Sequence, residues 1–312
     1  MQQFASLQDV NIQRAWLTIG SFDGVHLGHQ KILNKLTAGA EKNNAPAVVL
    51  TFYPHPALVL RGPRESFYLT NHAEKAQLLE DAGVDVSIVH PFNKALSNLS
   101  AFDFVSLLKK QLDFENLLVG HDFALGHNRA GNTVTLKTYG ETMGFDIEEI
   151  PPVKVNDQIV SSSAIRQLLS QGDILTANEL LGHPFSLSGE VIQGDGRGRT
   201  IGFPTANISV ADEHLVPANG VYVCMVNYDG KSYQAVTNIG VRPTFDTKSS
   251  KPIIEAHILD FDTDIYNKNI HLQFIERLRG EQQFTSIDEL VAQIQEDITK
   301  ARKILGNSVV KA

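Results

Sequence analysis

The sequence predicts an α/β protein: a doubly wound parallel-sheet domain over residues 1–183, then a small antiparallel β-barrel with a terminal helix over residues 184–312. Three observations lead there. The chain has 312 residues, which at roughly 150 per domain leaves room for two hydrophobic cores. Up to about residue 181, short apolar runs alternate with amphipathic stretches, and strands separated by helices pair in parallel. Beyond Gly182, short β-rich runs follow one another with turns of Gly, Asn, Asp and Pro, the pattern of a small barrel.

In the first half, strands are expected at residues 15–19, 47–52, 84–89 and 116–120. Between them, residues 30–36 and onward, 73–81 and 102–112 read as helices. Ala73, Ala76, Leu78 and Leu79 form a buried face on the second of these, with Thr70 or Asn71 suited to cap it. Sheets of this kind bind ligands beyond the carboxyl ends of their strands, which directs attention to the loops after Ile19, Phe52 and Gly120. In the second half, residues 186–193, 220–228, 231–239, 253–259 and 270–275 read as strands. Asp229-Gly230 marks a type I′ hairpin between two of them. Residues 286–305 form the terminal helix, because Ile287, Leu290, Val291, Ile294, Ile298 and Ala301 repeat at helical spacing. The boundary is expected near residues 182–186, with neither an internal repeat nor a low-complexity linker.

Composition excludes several functions. Lys and Arg number 27 against 35 Asp and Glu, a net charge of -8, whereas nucleic-acid coats and binders of anionic membranes need a basic surface. A polyanion such as ATP must therefore be held by locally placed donors. The single cysteine, Cys224, excludes an internal disulfide and a Cys-rich zinc site. Residues 1–14 are polar and mixed, and no apolar run approaches the ~18–20 residues of a membrane span. The expectation is a soluble, cytoplasmic protein, in which the N-x-S matches at Asn98 and Asn207 have no meaning as glycosylation sites.

A first candidate site begins where the strand ends at Ile19. Gly20, Ser21, Phe22, Asp23 and Gly24 make a tight turn, and His26-Leu27-Gly28-His29 opens a helix. Gly28 removes a side chain between the histidines, so that a phosphate can approach the backbone. A helix N-terminus offers free amides and positive dipole character, and His26 and His29 add donors three positions apart, suited to charge developing on an α-phosphate. No third histidine or thiol lies at ligand spacing, so zinc is not expected. His55, between two prolines, reads as a rigid loop residue. Asp122, after the strand at 116–120, can contact a hydroxyl or an amine. Ser161, Ser162 and Ser163 open another helix, and Arg166 in its first turn is at a place where the dipole disfavours a cation, unless an anion is held there.

A second candidate site lies in the other half. Gly194, Gly196, Gly198 and Gly202, interleaved with Arg197 and Arg199, make a basic loop able to fold over a triphosphate. It lacks P-loop spacing. Thr205 and Asn207, two apart on an extended segment, are hard oxygen donors suited to Mg²⁺. Glu255, alone among apolar neighbours on a strand, is suited to accept a proton from an alcohol that takes up phosphate.

The segments of the first site resemble the adenylyltransferase module of bifunctional riboflavin kinase/FAD synthetases, a branch of the H-x-G-H nucleotidyltransferases. Residues 194–207, residues 238–244 and Glu255 resemble the riboflavin kinase module of that family. The resemblance implies an FMN adenylyltransferase (nucleotidyltransferase) domain over residues 1–183 and a riboflavin kinase domain over residues 184–312. It further implies that Gly20, Ser21, Phe22, Asp23, His26 and His29 hold ATP. Ser161, Ser162, Ser163 and Arg166 would handle the leaving pyrophosphate, with Asp122 near the nucleotide or flavin. In the kinase half, Gly194, Gly196, Arg197 and Gly198 would line the ATP and flavin site, and Thr205 and Asn207 would bind Mg²⁺ and ATP. Asn238 and Arg242 would belong to a loop closing over the flavin, and Glu255 would deprotonate the ribityl hydroxyl. The expected chemistry converts riboflavin to FMN and then to FAD with ATP as co-substrate, without nucleic-acid or membrane partners and with oligomeric state left open. Two departures from the pattern are His183 before Pro184, where arginine is common, and Ser163, where threonine is frequent. Rival readings are a kinase whose first half is inactive or serves another nucleotide, a cytidylyltransferase for a small phosphorylated alcohol, and a non-catalytic flavin or nucleotide sensor.

Overall fold

The computed structural model describes residues 1–62, 64–241 and 252–308. The chain divides into two compact units, Met1–Arg64 with Asn71–Ser162, and Glu65–Thr70 with Ser163–Ala312.

The first unit contains, in order, β1 (Gln2–Phe4), β2 (Trp16–Ile19), α1 (Leu27–Lys42), β3 (Ala47–Tyr53), α2 (Pro56–Arg61), α3 (His72–Asp81) and β4 (Val86–Pro91). Then come α4 (Lys94–Ser97), α5 (Ala101–Leu112), β5 (Asn116–Gly120), β6 (Ala124–Leu125), β7 (Gly131–Asn132), α6 (Thr133–Met143), β8 (Asp146–Ile150), β9 (Lys154–Val155) and β10 (Gln158–Ile159). Six strands form one parallel sheet in the order β1-β4-β3-β2-β5-β8. From β2 the chain moves outward to β3 and β4, then returns to β5 on the opposite side of β2. The carboxyl ends of β2 and β5 therefore flank the switch point, where such sheets bind ligands.

A parallel sheet is covered on both faces, and strand alternation sorts its side chains between two layers. Leu17, Leu50, Leu117 and Val119 pack with Phe104, Leu108 and Leu112 of α5 and with Leu136 of α6. Val49 and Leu118 face the other way, toward Leu33 and Leu36 of α1 and Leu79 of α3. Asn71 caps α3 in a reciprocal pair with Glu74, so of the two caps the sequence offered, the structure uses Asn71. Sequence patterning missed β8, an edge strand with carboxylates at Asp146, Glu148 and Glu149 that shows little apolar alternation. It also missed the three-residue β1 and α6, a helix rich in threonine that is marked mainly by its ends, Asn132 as N-cap and Gly144 at φ 72°.

The second unit contains most of α7 (Ser162–Gln171), then α8 (Ile174–Leu181), β11 (Phe185–Ile192), α9 (Arg197–Thr200), β12 (Ala206–Ser209) and β13 (Gly220–Tyr228). It continues with β14 (Lys231–Val241), β15 (Pro252–Ile258), β16 (Asn269–Arg279) and α10 (Ile287–Ser308). The six strands close into an antiparallel barrel in the order β11-β12-β15-β14-β13-β16. Asp229 and Gly230 turn the β13–β14 hairpin with φ of 50° and 71°, the left-handed pair that a type I′ turn requires. Ala301 and Leu305 of α10 pack on Val221, Val223 and Val236 of the barrel wall. The change from βα alternation to β-strands falls at β11, near the break expected from the sequence. The compact units divide earlier, at Ser162, because α8 is tied to the barrel: the Asn178 amide donates to the Phe274 carbonyl (2.8 Å) and accepts from the Phe185 N–H (2.7 Å).

Two stability predictions follow from packing in the first unit. A Cβ on Gly39 would lie 1.8 Å from the Trp16 ring, so Gly39→Ala should destabilise by about 1–3 kcal/mol despite the better helix propensity of alanine, measured by urea unfolding. His90 accepts the Leu7 N–H at Nδ1 (3.2 Å), and burial pushes its pKa down. A lowered folded value means that this contribution is complete above the unfolded pKa of about 6.5 and is lost as pH falls from there through the folded value. The urea midpoint of the wild type should therefore drop more between about pH 7.5 and pH 5.5 than that of His90→Gln.

Candidate functional site

In the first unit, the turn after β2 is shaped by bonds to its carbonyls. The Ser21 carbonyl accepts from Thr51 Oγ1 and from Lys75 Nζ, both at 3.0 Å. The Asp23 carbonyl accepts from Ser162 Oγ (2.9 Å), and the Val25 carbonyl from Gln30 Nε2 (2.9 Å). Phe22, Gly24 and Val25 have φ of 47°, 83° and 37°, a left-handed course that a branched residue such as Val25 adopts only when its surroundings hold it there. Asp23 and the Phe22 ring are buried within this turn. The Ser162–Asp23 bond joins the serine block to the glycine turn across 139 residues of sequence.

The two histidines are more tightly coupled than their spacing implied. Their rings stack at 3.6 Å between centroids with planes 12° apart, and the Phe22 ring lies 4.9 Å from that of His29. His26 is the N-cap of α1, its Nδ1 accepting the His29 N–H at 3.3 Å. With Nδ1 an acceptor, the proton of a neutral His26 ring is on Nε2. At Gly28 a Cβ would lie 3.1 Å from the His26 ring, a tight contact, so the missing side chain also gives the histidine room. His55 caps α2 by accepting the Ala57 N–H at Nδ1 (3.1 Å), in keeping with its reading as a loop residue.

Asp122 follows the carboxyl end of β5 and is exposed, its carbonyl accepting from Arg129. Ser161 and Ser162 belong to the first unit, Ser163 and Arg166 to the second. Arg166 is the fifth residue of α7 and so lies beyond the first turn, where the sequence reading had put it. Its Nε donates to the Phe67 carbonyl (2.8 Å) and its guanidinium lies 4.1 Å from the centre of the Phe67 ring, a cation–π contact.

In the second unit, barrel register assembles the other candidate site. Asn207 of β12 is paired with Glu255 of β15, and Glu255 with Asn238 of β14. Directly opposed residues point to one face, so three polar side chains lie in a row across three strands. A cavity of about 450 Å³ brings Glu255 and Asn238 together with Thr205, Gly198, Arg197 and Asp195. Asn207 is buried, and a Cβ on Gly194 would come within 2.1 Å of its amide, so the glycine loop closes directly over it. Gly198 is required where the Phe203 carbonyl would lie 2.3 Å from a Cβ, and Gly196 where φ is 70°. Arg197 is almost wholly exposed, 3.7 Å from Asp195. Arg242 lies outside the described residues.

The sequence reading missed part of this cavity. Leu290, Ile294 and Asp297 of α10 line it, together with Arg279 and Phe284. Arg279 binds the buried Asp297 through Nε (3.0 Å) and Nη2 (2.9 Å). Further along α10, Ile298, Ala301, Ile304 and Leu305 pack with the barrel core. A second cleft of about 330 Å³ shares Thr205, includes Pro204 beside it, and is also walled by Phe261, Ile265 and Tyr266, from a segment without any motif. Burial pushes the Cys224 thiol up to about 12, leaving it protonated and unreactive near neutral pH.

A family model described as FAD synthetase matches residues 9–164, and one described as riboflavin kinase matches residues 181–305. The bifunctional riboflavin kinase/FMN adenylyltransferase of Escherichia coli (strain K12) is 39% identical over 292 residues, covering 93% of this chain and 92% of that protein. The protein of the same description from Bacillus subtilis (strain 168) is 36% identical over 295 residues, covering 93% of this chain and 92% of its own. A crystal structure from Streptococcus pneumoniae, described as a macrolide-efflux protein, superposes with a TM-score of 0.88 at 30% identity, covering 96% of this chain and 98% of that one. Among the described residues no helix is long and apolar enough to cross a membrane. With both modules matched in order and with relatives similar along nearly their whole length, the chain belongs to the family of bifunctional riboflavin kinase/FMN adenylyltransferases.

Proposed function

We propose that residues 1–183 carry the FMN adenylyltransferase activity and residues 184–312 the riboflavin kinase activity of a bifunctional enzyme that uses ATP in both steps. The observation that carries the kinase assignment is the row Asn207–Glu255–Asn238 in the barrel wall. There the Glu255 carboxylate accepts the proton of the ribityl hydroxyl as its oxygen attacks the γ-phosphorus of ATP, and ADP leaves. Thr205 and Asn207 present hard oxygen donors, a donor set of the kind a small hard cation takes, and Thr205 lines the cavity. These two residues would hold Mg²⁺, which supplies neutralisation of phosphate charge when bound. The apolar cleft beside Thr205, walled by Phe261 and Ile265, suits a purine ring.

In residues 1–183, an oxygen of the FMN phosphate attacks the α-phosphorus of a second ATP, and pyrophosphate leaves. The nucleophile is already anionic, so the demand is charge neutralisation and alignment and not proton removal. His26 Nε2, His29 and the N-terminus of α1 supply donors to the α-phosphate, within the turn formed by Gly20, Ser21, Phe22 and Asp23. Support for this comes from the stacked rings and from the bond tying Ser162 to the turn. Ser161, Ser163 and Arg166 are assigned to the leaving pyrophosphate and Asp122 to the nucleotide or flavin. Both reactions use water-soluble substrates, in keeping with a cytoplasmic enzyme.

Two variants separate the halves when riboflavin, ATP and Mg²⁺ are incubated and the flavins resolved over time. His29→Ala should slow FAD formation by about 10²–10³-fold, the loss typical of one transition-state donor, while FMN accumulates at the wild-type rate. Glu255→Gln should slow riboflavin phosphorylation by about 10²–10⁴-fold yet still convert supplied FMN to FAD. If Glu255→Gln lost only the FAD step, the assignment of sites to modules would be wrong.

A further inference from the structure

Lys75 is a buried ammonium in the fourth position of α3, 7% exposed. Two circumstances work against a charge there. Desolvation disfavours the ammonium and pushes its pKa down, and the positive end of the helix dipole repels it. The Asp23 carboxylate opposes the first effect, and the Ser21 carbonyl gives the ammonium an acceptor at 3.0 Å. An apolar side chain of similar length would fill the same space without these two costs, though it would leave the buried Asp23 without its cation. What the lysine adds is directional: with Thr51 Oγ1, it places a second donor on one carbonyl of the turn between β2 and α1. The peptide is planar and trans, so a fixed Ser21 C=O sends the Phe22 N–H to the opposite side. That peptide precedes Phe22 at φ 47° and leads, through Gly24 and Val25, to His26 at the N-cap of α1.

We infer that Lys75 is a positioning residue for adenylyl transfer, whose ammonium pins the Ser21 carbonyl and so sets the Ser21–Phe22 peptide of the turn that carries His26. The inference rests on the reading that this unit performs adenylyl transfer. Its contribution is geometric, and small misplacements of a reacting site are costly in rate.

The test compares wild type, Lys75→Met and Lys75→Arg as full-length chains, with FMN plus ATP for one activity and riboflavin plus ATP for the other. Lys75→Met keeps the length and removes the charge. It should lower kcat for FAD formation by about tenfold or more, with KM for ATP changed by less than about threefold. Riboflavin phosphorylation should stay at the wild-type rate. Lys75→Arg, which retains a buried cation with hydrogen-bond donors, should restore kcat to within about threefold of wild type. Lys75→Met turning over FMN at the wild-type kcat overturns the inference. Should Lys75→Met fail to fold, a folded Lys75→Arg that loses tenfold overturns it equally. A wild-type enzyme that makes FMN but no FAD overturns the underlying reading, and the inference with it.

Discussion

The turn between β2 and α1 keeps its course because side chains from elsewhere in the first unit hold its carbonyls. Thr51 and Lys75 bind the Ser21 oxygen, Ser162 the Asp23 oxygen and Gln30 the Val25 oxygen. Each bond orients a rigid peptide, so the N–H groups of the turn are oriented as well. In a chain of net charge -8, no general positive field gathers a triphosphate. If this turn holds the nucleotide, as proposed, local dipoles do it, and dipoles act only when fixed. The stacked histidines, the buried Phe22 and the left-handed residues of the turn all depend on this scaffold of acceptors.

The barrel solves the same problem by register. Strand pairing sets Glu255 between Asn207 and Asn238, and a slip of one residue would turn the carboxylate to the opposite face. Closure leaves none of the six strands with an unpaired edge, which makes the register hard to shift. The glycine loop then lies against the wall at two points where no Cβ fits, Gly194 over Asn207 and Gly198 against the Phe203 carbonyl. The Arg279–Asp297 pair holds α10 beside the cavity, where Leu290 and Ile294 supply apolar wall.

Local features were legible in the sequence wherever one residue type has one strong conformational reason. Asp229-Gly230 turned the hairpin, Asn71 capped α3, and the strand–glycine–histidine order put His26 and His29 at the start of α1. Less legible were residues whose type permits several environments. Gly28 gives room to the His26 ring, Arg166 stacks on Phe67 just beyond the first turn of α7, and Leu290 and Ile294 look like core residues of α10. Lys75 sits in an amphipathic helix, where a lysine reads as a solvated side chain until its burial is seen.

The sequence by itself determined the α/β-then-barrel architecture and the order of the two modules that the family models match. Those properties follow from periodicity, turn chemistry and motif spacing, which act over a few residues. Tertiary structure alone decided that Ser162 reaches Asp23, that Lys75 and Thr51 share one carbonyl, that the two imidazoles stack, and that Asn207, Glu255 and Asn238 align. These contacts join residues far apart in the chain or depend on strand register and rotamer, and no local pattern encodes a distance across a sheet or between a helix and a turn.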